Sequence, residues 1–299
     1  MIIKKKFNRS VVFATTVKNA AGYISNFIKI VSDLSKIYKD YYIIIVEADS
    51  QDNTINMIKK ITKNYKCKLL CLNTKKIKFR TSRLSIARNK ILEVIKKDKN
   101  LNKFDDLILL DSDKVNRLIT SNKIFESISA APKDWVGIFP NQKFFYYDLW
   151  GLRIKQYYNF DCFNELKKYA KKIKPSYAYY KVIFKNFFLI NSFKKRFIEV
   201  DSAWGGMGIY KLKYAIKSKY NSNRGRNNEI VFFNKTISMH KKKLYIDKKL
   251  INSYGFNDHI IKGFIYILSN YYAKKLLVDK FKWKFYRYIM NINILVERI

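Results

Sequence analysis

A repeated pairing constrains this chain's fold most. A short, continuously apolar run is followed by a stretch with apolar residues every three or four positions. SVVFATTV at 10–17 reads as a buried strand, and Ile24, Phe27, Ile28, Val31, Leu34 and Ile37 then mark one face of a helix. YYIIIVEA at 41–48 is a second strand, apolar throughout as a strand covered on both faces must be. DSQDNT at 49–54 turns the chain, with Asp52 as the expected N-cap of a helix through Ile55, Ile58, Ile61 and Tyr65. KLLCLN at 68–73 is a third strand, and SRLSIARNKILEVIKK at 82–97 a third helix with Leu84, Ala87, Ile91 and Val94 inward. DLILL at 106–110 and WVGIF at 135–139 add two more strands, while 140–200 is irregular and aromatic. This alternation predicts an α/β fold with a mainly parallel sheet flanked by helices.

Parallel sheets of this kind bind ligands beyond the carboxyl ends of their strands. Three polar clusters fall there: Thr15, Lys18 and Asn19 on and after the first strand, Glu47, Asp49, Ser50 and Asp52 after the second, and Asp111, Ser112 and Asp113 after the fourth. Asp111 and Asp113 stand two apart, so an extended chain would point them oppositely. A turn lets both carboxylates converge on Mg²⁺ or Mn²⁺, whose remaining ligands a diphosphate can supply. A helix cap is the alternative use of the same residues. Glu47 and its neighbours suit a ribose hydroxyl or a base N–H.

The balance of 61 Lys+Arg against 23 Asp+Glu, a formal net charge of +38, attracts anions: nucleic acid, anionic lipid or nucleotide phosphates. Part of that charge is what a Lys-, Asn-, Ile- and Tyr-rich, Gly- and Pro-poor composition produces without selection for a partner. Nucleic-acid binding would account for the charge but not for carboxylates at strand ends, which repel a phosphate backbone. With 48% hydrophobic residues a large core is expected. No apolar run reaches the ~18 residues of a membrane span, and the basic-then-apolar start reads as a strand rather than a leader. Cys67, Cys71 and Cys162 are scattered, as reduced thiols of a cytoplasmic protein would be.

Further candidates lie in three places. Arg83, Arg88 and Asn89 share the third helix, where arginine can grip phosphate through two N–H groups, though a solvated basic face is the plainer use. DSAWGGMG at 201–208 gathers three of the nine glycines within four residues, beside Trp204 and Asp201. There Trp204, Gly205 and Gly206 can border a sugar, or form a tight structural turn. Asp148, Asp201 and Glu229 are candidate bases for an acceptor hydroxyl, with Glu229 equally a helix-start acid. His259 is a candidate third metal ligand.

Taken together and in order, VEADSQDNT, SRLSIARNKIL, LILLDSD, DSAWGGMGIY and NNEIVFFNKTI resemble the GT-A fold glycosyltransferases over roughly residues 8–260. More narrowly, they are similar to the capsule-type α-1,3-mannosyltransferase group and related viral and bacterial enzymes. The resemblance implies a nucleoside-diphosphate sugar donor, a cation held by Asp111 and Asp113, and a nucleotide pocket lined by Glu47 to Asp52 and Arg88. It further implies a glycan or lipid-linked acceptor. Ala48 and Asp49 depart from the Ser and Gly of the group's pattern, and Ile230 stands where it has His. A nucleotidyltransferase of similar architecture is the other enzyme class considered; VKNAAGY offers only Gly22 for a phosphate loop. The expected layout is a GT-A domain over 1–262 and a helical, basic and aromatic extension over 263–299. That extension carries nine aromatics, seven Lys/Arg and two Asp/Glu. It is expected either to touch an anionic membrane at its cytoplasmic face or to pack on the domain.

Overall fold

The structure is a computed structural model that describes residues 6–223, 225, 227–238 and 242–255. The expected extension, His240 and His259 lie outside the described residues.

The elements run β1 (Ser10–Val17), α1 (Ile24–Ser35), β2 (Asp40–Ala48), α2 (Thr54–Thr62), β3 (Cys67–Leu72), α3 (Arg80–Lys97), β4 (Asp106–Leu110), α4 (Ser121–Ala130) and β5 (Trp135–Gln142). The aromatic region then supplies α5 (Cys162–Ala170), α6 (Pro175–Val182) and α7 (Leu189–Ser192). β6 (Phe197–Val200), β7 (Met207–Lys211), α8 (Leu212–Ala215), α9 (Glu229–Ser238) and β8 (Lys243–Ser253) follow. The eight strands of the described residues form one sheet in the order β3-β2-β1-β4-β7-β5-β8-β6. The β3-β2-β1-β4 half is parallel, so the carboxyl ends of β1, β2 and β4 share an edge. β7 enters antiparallel to both β4 and β5, which brings the glycine turn before β7 up against the end of β4.

Alternation along β1 and β4 assigns each face of the sheet its own core. Val12, Ala14, Leu107 and Leu109 pack with Ala87, Ile91, Trp204 and Phe233 on the face covered by α3 and α9. Val11, Phe13, Ile108 and Leu110 pack with Phe27, Val31 and Ile124 on the face covered by α1 and α4. Each aliphatic chain so buried contributes about 1.5–3 kcal/mol.

Two local expectations change. The N-cap of α2 is Asn53, without a side-chain bond; the Asp52 carboxylate instead accepts the amide and hydroxyl of Thr54 and the amide of Ala21. On α3, Ala87 and Ile91 are buried as expected, but so are Ser85, Arg88, Leu92 and Ile95, while Leu84 and Val94 are only half-buried. The buried face includes Arg88, whose charge meets a carboxylate inside the protein.

Candidate active site

The loops after β1 and β2 are stitched together by backbone amides. Asn19 N donates to Ser50 Oγ at 2.9 Å, Ala20 N to Thr54 Oγ1 at 2.7 Å and Gln51 N to Asn19 Oδ1 at 2.8 Å. Buried Glu47 accepts the Ser50 amide at 2.6 Å, and Asp49 accepts the amide and hydroxyl of Thr74. Asn19 and Asp49 both take positive φ, 50° and 60°, a conformation Asn and Asp tolerate better than most residues. Glu47, Asp49, Ser50, Asp52 and Asn19 are thus engaged in holding these loops in place, whereas Lys18 is exposed beside Asp49.

Asp111 sits at the carboxyl end of β4, and four groups fix it. Its amide donates to Gly206 O at 2.9 Å, and its carbonyl accepts Asn116 Nδ2 at 3.0 Å. Its carboxylate accepts the Trp204 indole N–H at 2.9 Å and lies 3.7 Å from the Arg88 guanidinium. Burial pushes the Asp111 carboxyl up to about 6; Arg88 opposes that shift and neighbouring Asp113 adds to it. The two carboxylates are therefore close enough to repel one another across the turn after β4. Asp113 is also a cap: Oδ1 accepts the Val115 amide at 2.9 Å at the start of a 3-10 turn over Lys114–Asn116. Chelate and cap are compatible uses of one carboxylate, and half-buried Ser112 lies between the pair.

Beneath the pair, Gly205 and Gly206 hold φ of +66° and +89°. A Cβ on Gly206 would fall 2.4 Å from Val115 Cγ1. Their carbonyls end in a buried amide chain: Asn116 Nδ2 reaches Gly206 O at 2.9 Å, and Asn252 Nδ2 reaches Gly205 O at 2.7 Å and Asn116 Oδ1 at 2.9 Å. Gln142 Nε2 closes the chain on Asn252 Oδ1 at 3.0 Å. Asn116, Gln142 and Asn252 carry no pattern in the sequence that reveals this role, because each comes from a different element.

Arg88 is buried against Glu229, the first residue of α9, in a direct ion pair. Its guanidinium lies 4.9 Å from the Trp204 ring centre and 5.7 Å from that of Tyr220. Burial opposes the Arg88 charge, but Glu229 and then Asp111 raise its pKa. Arg88 thus links Glu229 to Asp111 and Trp204. Asn89 instead clamps the Tyr220 backbone, accepting its amide at 2.8 Å and donating to its carbonyl at 2.9 Å. Arg83 donates to the carbonyls of Ile77 and Lys78.

A small pocket opens between these groups, lined by Ala14, Thr15, Thr16, Arg88, Ile91, Leu109, Leu110, Asp111 and Trp204. Alternation puts the Thr16 side chain on this face and turns Thr15 toward the other, where its buried hydroxyl finds no partner among the described residues. Half-buried Asp148 accepts the amides of Gly205 at 3.1 Å and Gly151 at 3.3 Å, and burial raises its pKa. Tyr147, absent from the sequence reading, stands among the acids. Burial drives its phenol well above the ordinary value, and Asp148, Asp111 and Asp113 raise it further. Asp201 is exposed after β6, and its carboxylate joins none of these contacts. No cluster of three or more His, Cys, Asp or Glu able to hold a metal occurs among the described residues.

No protein-family model matches the chain, and no curated protein matches it. Solved structures do. S. aureus TarS is 10% identical, with 94% of this chain and 43% of that chain covered at a TM-score of 0.51. The mannosyltransferase PcManGT from Pyrobaculum calidifontis, in complex with GDP-Man and Mn²⁺, is 10% identical over 91% of this chain and 65% of that one, at 0.48. S. aureus TarS 1-349 in complex with UDP-GlcNAc is also 10% identical, over 84% and 60%, again at 0.48. The chain spans less than two thirds of the length of each. With its sheet order and its carboxylates at the strand ends, this chain has the GT-A glycosyltransferase fold.

Proposed function

We propose that the protein is a metal-dependent glycosyltransferase, moving a sugar from a nucleoside-diphosphate sugar to a hydroxyl of a glycan or a lipid-linked acceptor. The reading is supported by the placement of Asp111 and Asp113 just after β4, with Asp111 bonded to Trp204 and to the Gly205–Gly206 turn. The donor set fits a hard divalent cation. Two carboxylates with no third His, Cys, Asp or Glu beside them among the described residues leave ligand positions for phosphate oxygens and water. Burial and mutual repulsion, which raise Asp111 to about 6, are what a cation would relieve.

Bound there, Mg²⁺ or Mn²⁺ would offset charge on the departing diphosphate. The chain's own residues do the positioning. Trp204 and the Gly206 carbonyl orient Asp111, Arg88 holds Trp204 from behind, and Glu47 with the Asn19–Ser50 loop pair borders the nucleoside. Of the three candidate bases, Asp148 is the acid best placed to take the acceptor's proton. It shares the Tyr147 environment with Asp111, and its raised pKa moves it toward the range useful for general base work. Glu229 is committed to Arg88, and Asp201 lies outside the cluster.

The nucleotidyltransferase reading loses support at the loop after β1. The amides of Asn19, Ala20 and Ala21, which a phosphate cradle would need, all donate to side chains of the next loop. The test is a panel of nucleoside-diphosphate sugars assayed for Mn²⁺-dependent hydrolysis in the absence of acceptor. One responsive donor supports the reading, and a silent panel overturns it.

A further inference from the structure

On α6 and the chain that follows it, exposed rings touch one another beside a lysine-rich flank. Residues 166–195 contain nine lysines, eight aromatic residues and no Asp or Glu. α6 buries Ala178 and Val182 and turns Tyr177 and Tyr180, three apart, outward. From there the rings form an unbroken line. Tyr177 stacks on Tyr180 at 6.4 Å, Tyr180 on Phe184 at 6.0 Å, and Phe184 meets Phe188 edge-on at 5.9 Å. The line continues through Phe145 at 5.1 Å and Phe144 at 6.4 Å to Tyr254 at 6.1 Å. Tyr177, Tyr180, Phe188 and Phe144 are 50%, 45%, 44% and 43% exposed.

Cations stand over this line at both ends. Lys181 lies 4.9 Å from the Tyr177 ring centre, Lys143 5.5 Å from Phe144 and Arg117 5.0 Å from Tyr254. Arg117 closes the 3-10 turn that Asp113 opens, so the line of rings ends at the rim of the candidate active site. Four of the seven rings are exposed and the other three half-buried, and a contiguous aromatic surface of this kind marks an interaction site. Protein interfaces deplete lysine, whereas a partner with dense negative charge above an apolar layer suits both the lysines and the phenylalanines.

We propose that this ridge seats the protein on an anionic lipid bilayer, with its rings at the headgroup–acyl boundary and its lysines against lipid phosphates. The seating itself stands on the surface alone. That it presents a bilayer-borne acceptor to Asp111 and Asp113 rests on the transferase reading.

The experiment is vesicle co-sedimentation of the full chain, without donor or metal. It uses phosphatidylglycerol–phosphatidylcholine vesicles and phosphatidylcholine alone. The protein should bind the anionic vesicles and leave the neutral ones. Tyr177→Ser/Tyr180→Ser/Phe188→Ser, and separately Lys181→Glu/Lys185→Glu, should each lower partitioning by about tenfold. Lys59→Glu/Lys60→Glu, the same charge change on exposed α2 positions, should leave it within about twofold. Thermal melts check that the variants fold.

No binding by the parent chain overturns the proposal, as does parent-like binding by the ring variant. A loss on α2 equal to that on α6 reduces the effect to net charge and also overturns it. If the ring variant keeps vesicle binding but loses retention on dextran sulfate, the ridge is a glycan surface instead. Asp111→Asn should bind vesicles like the parent. Vesicle binding that persists alongside a silent donor panel would therefore sink the transferase reading while sparing this one.

Discussion

The indole nitrogen of Trp204 donates to Oδ2 of Asp111 across 2.9 Å, tying the residue before the glycine turn to the residue that follows β4. This bond holds one carboxylate oxygen and leaves the other facing Arg88, 3.7 Å away. Trp204→Phe keeps a ring over Arg88 but removes the donor. A hydrogen bond to a charged group contributes about 1.5–3 kcal/mol, so the variant should bind a cation–donor complex about tenfold or more weakly while remaining folded. Isothermal titration beside a thermal melt checks both halves.

Desolvation pushes the Asp111 carboxyl up to about 6, above the ordinary aspartate value, although its side chain keeps 35% exposure. The sign follows from linkage. The folded state holds the Asp111 proton more tightly than the unfolded chain, so ionised Asp111 is a burden on folding above pH 6. That burden is relieved as pH falls through 6 toward 4. Cation binding runs the other way, since it needs the carboxylate. Mn²⁺ affinity should therefore fall about tenfold per unit below pH 6 and be level above it. A titration of Mn²⁺ binding between pH 5 and 8 reads this directly, and a flat profile contradicts it.

Arg88 and Glu229 form a buried pair with little exposure on either side. Removing one member leaves the other charge uncompensated, at about 3–5 kcal/mol. Glu229→Gln should accordingly lower unfolding free energy by about 3 kcal/mol in urea, and Arg88→Met by a similar amount. The double variant should lose distinctly less than the sum. Additive losses would show that the two residues do not act as a pair.

Gly206 cannot carry a side chain where it stands. Its φ is +89°, and the nearest atom to a new Cβ is Val115 Cγ1 at 2.4 Å. Gly206→Ala should destabilise the fold by about 2 kcal/mol or more, whereas Gly22→Ala, with nothing within 4 Å of its Cβ, should change it by less than about 0.5 kcal/mol. Urea unfolding of both variants supplies the comparison.

Much of the parallel half of the fold was legible because its central strands are apolar runs and its helices largely amphipathic. Local pattern and tertiary role coincide in β1, β2, β4 and α1. β6, β7 and β8 were not found, since β7 is contiguous with the glycine turn and β8 mixes three lysines into its eleven residues. At the site, the carboxylates at the strand ends could be located from chain position alone. Partnership could not. Nothing near Arg88 in sequence announces Glu229, 141 residues away, and nothing marks Asn116, Gln142 and Asn252 as one chain of amides. Thr15 and Thr16 differ only in strand parity, and a shift of one residue moves a side chain through the sheet.

The most direct test is calorimetric binding of a nucleoside diphosphate to the full chain with and without Mn²⁺, in the parent and in Asp111→Asn and Asp113→Asn. The parent should bind the nucleotide tightly only with the cation. Asp111→Asn should abolish that enhancement, and Asp113→Asn should reduce it at least about tenfold. Equal affinity with and without Mn²⁺, or enhancement that survives both substitutions, would contradict the assignment of Asp111 and Asp113 as the cation clamp of a sugar transferase.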